Sequence, residues 1–369
     1  MNVNRSGLHI GHCGDVGQQR ELNEDSYLIL TAPAIAPEID ALLAVADGMG
    51  GHRAGDVASR TLVEMLDGLF TSSVYQQQVA YSPQHADYYV VVLKEVLEQA
   101  NEQIYNSSAS NPELSGMGTT ATVVLIAEGR LFWGHVGDSR AYLLRNGSLQ
   151  QLTHDHTWVA EQVSAGQMTP EEAARHPRRN VLTQSLGNSL LVRVERGVQP
   201  VQPDDVLLLC SDGLSGVVSD AEMQATLLAE SNPQTVCDQL VALANQRGGP
   251  DNVTVLAARL VGGGFGSNVA GGRVLGPVQC EAAAQPPLVN TFKLKRGRRS
   301  QWVGSGGCLA RWFGVALVLL LGALLSGLGA LLAGLIPFPA GLPVMAFVAV
   351  VTFVLGALLG WLLRPARPK

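Results

Sequence analysis

The sequence predicts an α+β fold of antiparallel sheets with helices packed outside them, and three observations carry that expectation. Short β-rich runs alternate with helical stretches in no strict βαβ order. The run 131–153, LFWGHVGDSRAYLLRNGSLQQLT, reads strand, turn, strand, turn, strand, with Asn146-Gly147 as a hairpin signal. Helix-period patterns cluster in a few long stretches, with no internal repeat before residue 260.

Taken in chain order, β-branched and apolar runs bounded by Gly, Asp and Ser predict strands at 7–13, 26–31, 41–46, 119–127, 130–136, 140–145, 191–197, 205–210 and 252–260. Apolar residues at helical spacing predict helices at 55–70, 88–108, 220–228 and 233–247.

The 369 residues are enough for a large core with further segments attached. Charge divides them. All 31 Asp and Glu lie before residue 291, while nine of the 25 Lys and Arg lie after it. An acidic body argues against nucleic acid as a partner, because phosphate backbones reward a basic face. The basic tail encloses two uncharged runs, Trp312 to Ile336 and Val344 to Leu363. Each reaches the roughly 20 apolar residues that cross a bilayer, so transmembrane helices are expected at 311–336 and 344–363. Basic flanks at both outer ends place those ends in the cytoplasm by the positive-inside rule. The N-terminus has no apolar signal-peptide core, so the body is expected to stay in the cytosol, at the inner face of the cell membrane. Between them, 261–310 turns to Gly, Pro and Ser and then to basic residues, a flexible tether spanning on the order of 40 Å. Five cysteines with no CxxC pair fit a reducing compartment and argue against structural zinc.

Four aspartates sit at strand ends, three after an apolar strand and Asp251 just before one, each in a turn containing glycine. They are Asp47 in Asp47-Gly48, Asp138 in Gly137-Asp138-Ser139-Arg140, Asp212 in Ser211-Asp212-Gly213, and Asp251 in Gly248-Gly249-Pro250-Asp251-Asn252. One such residue is an ordinary turn former. Four that converge repel one another and require a cation. Carboxylates and a carbonyl at Gly48, which has no side chain, are hard oxygen donors that suit Mg²⁺ or Mn²⁺. A two-metal centre activates water for in-line displacement at phosphorus, the equipment of a phosphate ester hydrolase. Arg20, four residues before Glu24, has the planar fork that suits phosphoryl oxygens.

The ordered set RELNEDS, ADGMGGHRAGDVAS, GMGTTAT, GHVGDSRAYLLRNG, LCSDGLSG and GGPDNVTV resembles the metal-dependent serine/threonine phosphatases of the PP2C (PPM) family, bacterial branch, over about residues 7–260. The resemblance implies a four-layer α-β-β-α sandwich with metals at one edge of the sheets. It implies that Asp47 bridges two metals, that Gly48 offers its carbonyl, and that Asp212 and Asp251 complete the ligands of the first metal. Asp138 matches a ligand for a third, looser metal shared with Asp212. Arg20 matches the phosphate-binding arginine and Glu24 a ligand acting through water, with Asp25 and Asn252 expected behind the ligands. The segment Asp155 to Asn188 resembles the family's flap, where Arg175-His176-Pro177-Arg178-Arg179 would steer phosphopeptides. Met49 stands where many eukaryotic members have a histidine proposed to protonate the leaving alkoxide, which leaves that proton to a water or to His52. The HxH at His154 and His156 lacks an acidic or thiol partner at metal-site spacing.

The expected function is hydrolysis of phosphoserine and phosphothreonine in proteins, countering a serine/threonine kinase. A catalytically silent, membrane-tethered phosphoprotein-binding regulator and a dimetal hydrolase of small phosphoesters are the alternatives. No GxxxxGK[ST] motif favours a P-loop enzyme.

Overall fold

The computed structural model describes residues 7–50, 54–73, 75, 86–261 and 273–276, all within the first of two compact units, Met1–Pro286. Two antiparallel sheets hold the strands. One has five, in the order β1 (Leu8–Asp15), β11 (Val253–Leu260), β10 (Val206–Cys210), β7 (Arg140–Arg145) and β8 (Ser148–Gln151). The other runs β12 (Arg273–Gly276), β2 (Asp25–Thr31), β3 (Ile39–Met49), β5 (Ala121–Ala127), β6 (Arg130–Val136) and β9 (Glu195–Pro200), with the two-residue β4 (Gly118–Thr119) pairing the end of β3.

Alternation along the strands creates the layers. In β3, Ala41, Leu43 and Val45 join Leu207 and Leu209 of β10 and Leu256 and Ala258 of β11 in a core between the sheets. Their neighbours Leu42, Ala44 and Ala46 face the other way, into a core with α1 (Ala54–Phe70) and α2 (Ala86–Ser110). Val206, Leu208 and Cys210 likewise face a third core that includes Leu214, Met223, Leu240 and Val241 of α5 (Asp212–Ser215), α6 (Asp220–Ala229) and α7 (Pro233–Gln246). A strand buried on both faces reads as a continuous apolar run, which is why ALLAVA and VLLLC carry no polar alternation. Three cores between four layers give the expected α-β-β-α sandwich.

Several expectations need correction. The strand expected at 191–197 starts four residues later and runs from Glu195 to Pro200, leaving Leu190 and Leu191 exposed. Its position is set by pairing with β6, from His135↔Glu195 to Arg130↔Pro200, and not by local hydrophobicity. Within the expected flap, α3 (Trp158–Ser164) and α4 (Pro170–Arg175) form, capped by Thr157 and Thr169. The expected tether is not uniform, because residues 273–276 add a strand to β2, whose outer edge otherwise offers unpaired backbone groups. Cys13 is disulfide-bonded, against the expectation of reduced thiols, while Cys210 and Cys237 are free and buried. The expected transmembrane helices at 311–336 and 344–363 lie outside the described residues, among which no helix is long and apolar enough to cross a membrane.

Leu62 on α1 is fully buried in the core beneath the seven-stranded sheet. Leu62→Ala is expected to cost about 2–5 kcal/mol, read as a lower midpoint in a urea titration of the full-length chain.

Candidate metal centre

The sandwich brings the aspartates to one end of both sheets. Asp47 lies near the end of β3, directly across from Asp25 at the start of β2. Its backbone is held on both sides: the N–H donates to Thr120 Oγ1 at 2.9 Å, and the carbonyl accepts from Thr120 N and Thr119 Oγ1, each at 2.9 Å. Asp25 is buried, and its Oδ2 accepts from the hydroxyls of Ser211 and Thr254, both at 2.7 Å. Ser211 follows β10 and Thr254 lies on β11, so this carboxyl pins one sheet to the other directly beneath Asp47.

Asp212 heads the single turn of α5, and Asp251 precedes β11. Asn252 is the residue that arranges the loop opposite them. Its amide donates to the carbonyls of Val16 and Leu22, and its Oδ1 accepts from Glu24 N at 2.8 Å. Arg20 is carried by that loop, and its Nη2 donates to Asp251 Oδ2 at 2.7 Å while half of its side chain stays exposed. Thus the expected phosphate-binding arginine rests here on an expected metal ligand. Asp138 occupies the turn between β6 and β7, where the chain passes from one sheet to the other. Gly137 in that turn has φ +109°, and a Cβ there would lie 2.6 Å from Thr120 Cγ2.

Gly48 has a second reason to be glycine besides an accessible carbonyl. A Cβ at 48 would collide with the Gly55 carbonyl and lie 2.5 Å from the Glu24 carbonyl oxygen, so the start of α1 packs backbone to backbone on the end of β3. Gly55 in turn leaves room for Glu24, whose Oε1 would be 2.6 Å from a Cβ there.

Bringing the carboxyls together has an electrostatic cost. Burial, with Asp25, Asp212, Asp138 and Asp251 as neighbours, holds Asp47 well above the usual carboxylate range. Burial pushes Asp25 up to about 7 against the pull of its two hydroxyl donors, with Asp212 and Asp251 adding to the rise. Asp138 is pushed to about 8 by burial and then by Asp212 and Asp155. Burial and then Asp251 raise Asp212. Burial also raises Glu24, against Arg20. Oδ1 of Asp25 and Oδ1 of Asp212 are buried with no hydrogen-bond partner among the described residues. Orphaned carboxylate oxygens, mutual repulsion and an all-oxygen donor set fit hard divalent cations.

Beside Asp138 and Asp212 opens a cavity of about 1650 Å³ that reaches His156, Arg179 and Arg193. The HxH does find an acidic partner, one that sequence spacing did not reveal: Glu195 on β9, directly opposite His135 on β6. His154 Nδ1 lies 2.9 Å from Glu195 Oε1, and His135, His156 and Glu195 place ligand-type atoms within 4.8 Å of one another. Three of the four ring nitrogens of His135 and His156 are already engaged, however. His135 meets Thr122 Oγ1 and the His154 carbonyl, and His156 Nδ1 accepts the Gly137 N–H. The cluster is a hydrogen-bonded set. Met49 is partly exposed with Sδ 3.8 Å from Asn188 Nδ2, whereas His52 lies outside the described residues. Sequence reasoning missed the hydroxyls that frame the site: Ser211 and Thr254 on the Asp25 carboxyl, Thr119 and Thr120 on the Asp47 backbone, and Thr122 and Ser139 beneath the Asp138 turn. Their signal was present as GTTAT and as Ser beside Asp in GDS and CSD, polar residues in otherwise apolar strand contexts.

A family model described as Protein phosphatase 2C matches residues 18–248. The serine/threonine phosphatase stp of Listeria welshimeri is 38% identical over 249 residues, covering 68% of this chain and 94% of that protein. Serine/threonine protein phosphatase PstP of Mycobacterium tuberculosis is 35% identical over 307 residues, covering 78% of this chain and 56% of that protein. Among solved structures, the PstP catalytic domain in complex with two manganese ions is 37% identical, with a TM-score of 0.58, covering 69% of this chain and 99% of that one. Serine/threonine phosphatase Stp1 of Staphylococcus aureus is 34% identical, with a TM-score of 0.63, covering 70% of this chain and 97% of that one.

The raised carboxyls set a pH dependence for the metal-free protein. A carboxyl with a raised native pKa stabilises the fold fully below its ordinary 3.8, and that contribution is lost as pH rises through about 7 for Asp25 and about 8 for Asp138. In chelator the melting temperature is therefore expected to fall between about pH 5 and about pH 8, and Mn²⁺ is expected to flatten that slope. Thermal melts with and without metal across this range check it.

Proposed function

The chain belongs to the protein phosphatase 2C family and is a metal-dependent protein serine/threonine phosphatase, and from that premise we propose how its own residues do the work. The observation that carries the assignment is the meeting of Asp47, Asp212 and Asp251 at one end of both sheets, with Gly48 backed by α1 and Arg20 alongside. Asp47 would lie between two divalent cations, the Gly48 carbonyl, Asp212 and Asp251 would complete their protein ligands, and Glu24 would act through water. Asp138 and Asp212 would share a third, looser cation. When bound, the cations supply Lewis acidity that lowers the pKa of water and neutralises phosphoryl charge.

The remaining roles belong to the protein. Arg20 uses one nitrogen on Asp251 and keeps further donors on a half-exposed side chain, so it would hold phosphoryl oxygens once the charge on Asp251 is otherwise compensated. Asp25 and Asn252 fix the frame: one ties the sheets beneath Asp47, the other ties the Arg20–Glu24 loop to β11. Met49 offers no proton to the leaving alkoxide, so that proton would come from water in the cleft.

The substrates would be phosphoserine and phosphothreonine proteins, at the cytoplasmic face of the cell membrane. The support for the location is the pair of uncharged runs after residue 311 with basic residues outside both. Tethering would raise local concentration near membrane-bound substrates.

Two experiments test these assignments. Asp212→Asn is expected to lower turnover of a phosphothreonine peptide at least about 100-fold, and chelator to abolish it in the parent; Arg20→Ala should cost about 10–100-fold in kcat/KM, the loss of a charged hydrogen bond worth about 1.5–3 kcal/mol. Alkaline carbonate extraction should leave the full-length chain in the membrane pellet and release a chain ending near residue 262.

A further inference from the structure

We propose that Asp155 and His156 are positioning residues that set the Asp138 carboxylate and couple it to the 155–188 segment. The inference rests on the reading of Asp138 as a cation ligand.

Asp138 sits in a three-residue crossing between the sheets, and both of its flanks are tied to this pair. On one side, His156 N–H donates to the Gly137 carbonyl at 2.7 Å while Gly137 N–H donates to His156 Nδ1 at 3.1 Å. This reciprocal clamp closes on the peptide unit next to Asp138. On the other side, the Arg140 fork holds the Asp155 carboxylate, with Nε at 2.9 Å from Oδ1 and Nη2 at 2.6 Å from Oδ2. Such bidentate pairs fix orientation as well as distance. From below, the Ser139 hydroxyl meets Thr120 Oγ1 at 2.7 Å and its carbonyl accepts from Thr122 at 2.9 Å. Thr120 is also the residue that holds the Asp47 N–H. The Asp138 turn is thus suspended between the Asp47 frame and the 155–156 pair.

The same pair holds the returning leg of the segment. The His156 carbonyl accepts from Thr183 N at 2.8 Å, Trp158 N donates to the Val181 carbonyl at 2.8 Å, and Thr157 bridges Leu182. A movement of residues 157–183 therefore pulls on Gly137, and a cation drawn to Asp138 pulls on the segment. By reciprocity, whatever the segment's position does to cation affinity, cation binding does to the segment.

The chemistry of the ring makes the clamp specific. A backbone N–H donor at Nδ1 requires that nitrogen to be the acceptor, which leaves the proton on Nε2, 3.8 Å from Glu195 Oε2. Asparagine places Oδ1 where histidine has Nδ1, so His156→Asn keeps the acceptor. His156→Gln moves its oxygen one bond farther out and loses it.

The test uses the full-length chain with Mn²⁺ as probe and two readouts. These are the Mn²⁺ concentration for half-maximal hydrolysis of an aryl phosphate, and hydrogen exchange of peptides covering residues 157–186 with and without Mn²⁺. The parent should show Mn²⁺-dependent protection of that segment. His156→Gln should raise the Mn²⁺ requirement about 10-fold, the usual cost of an outer-shell partner, keep kcat at saturating Mn²⁺, and lose the protection. His156→Asn should behave as the parent. Asp155→Asn should shift the Mn²⁺ requirement in the same direction as His156→Gln, which keeps the test open if His156→Gln does not fold. If His156→Gln and Asp155→Asn match the parent in both readouts, or Asn is as damaging as Gln, the inference is overturned. Asp138→Asn separates the two readings. If it changes the Mn²⁺ response while both clamp variants are silent, only the inference falls; if it is itself silent, the reading of Asp138 falls and takes the inference with it.

Discussion

Mutual repulsion among the carboxyls at the sheet ends is the constraint around which the rest of this structure is arranged. Asp25, Asp47, Asp138 and Asp212 all have raised pKa values because the fold buries them and presses like charges together. A cluster of this kind cannot hold itself in place, so the polypeptide around it supplies buried hydroxyls. Thr119, Thr120, Thr122, Ser139, Ser211 and Thr254 are all buried, and each donates to or accepts from a group within this end of the sandwich. They orient carboxylates and backbone without adding charge, and the charge compensation itself is left to a cation.

The same constraint explains why two sheets are needed. Asp47 and Asp25 come from one sheet, Asp212 and Asp251 from strand ends of the other, and Asp138 from the turn that joins them. The inter-sheet core, from Leu43 and Val45 to Leu207, Leu209 and Leu256, sets their separation by close packing. Asp25 crosses that gap through Ser211 and Thr254, so the polar and apolar contacts between the sheets meet at one residue.

Much of this was legible in sequence because it is periodic or chemically conspicuous. Strands buried on both faces announce themselves as unbroken apolar runs, and each aspartate that ends one stands out against it. The family resemblance rested on those same segments. What stayed hidden depends on which segments meet. Glu195 becomes the partner of His154 only through the register of β9 against β6, fixed by backbone pairing while Leu190 and Leu191, locally the better strand formers, remain in solvent. Asn252 reads as a turn residue beside Asp251, yet it reaches three points between Val16 and Glu24, more than 220 positions away. The strand at 273–276 lies in Gly-rich sequence with no strand pattern of its own, and it forms because β2 presents an open edge.

The Arg20–Asp251 pair shows how one arrangement can serve the protein with and without its cations. An exposed ion pair contributes little to stability, and its value here lies in neutralising one carboxylate of a repelling set. On the proposed assignment, a divalent cation at Asp251 takes over that compensation, and the guanidinium, already beside the site and only half covered, becomes available to an incoming phosphate dianion. The order follows from charge alone. Before cations are present, Arg20 has a carboxylate to satisfy and the cleft repels an anion. Afterwards the cleft would be cationic and the fork would have a free face. On that assignment phosphate recognition would be conditional on metal occupancy, because the competing partner for Arg20 would itself be a metal ligand.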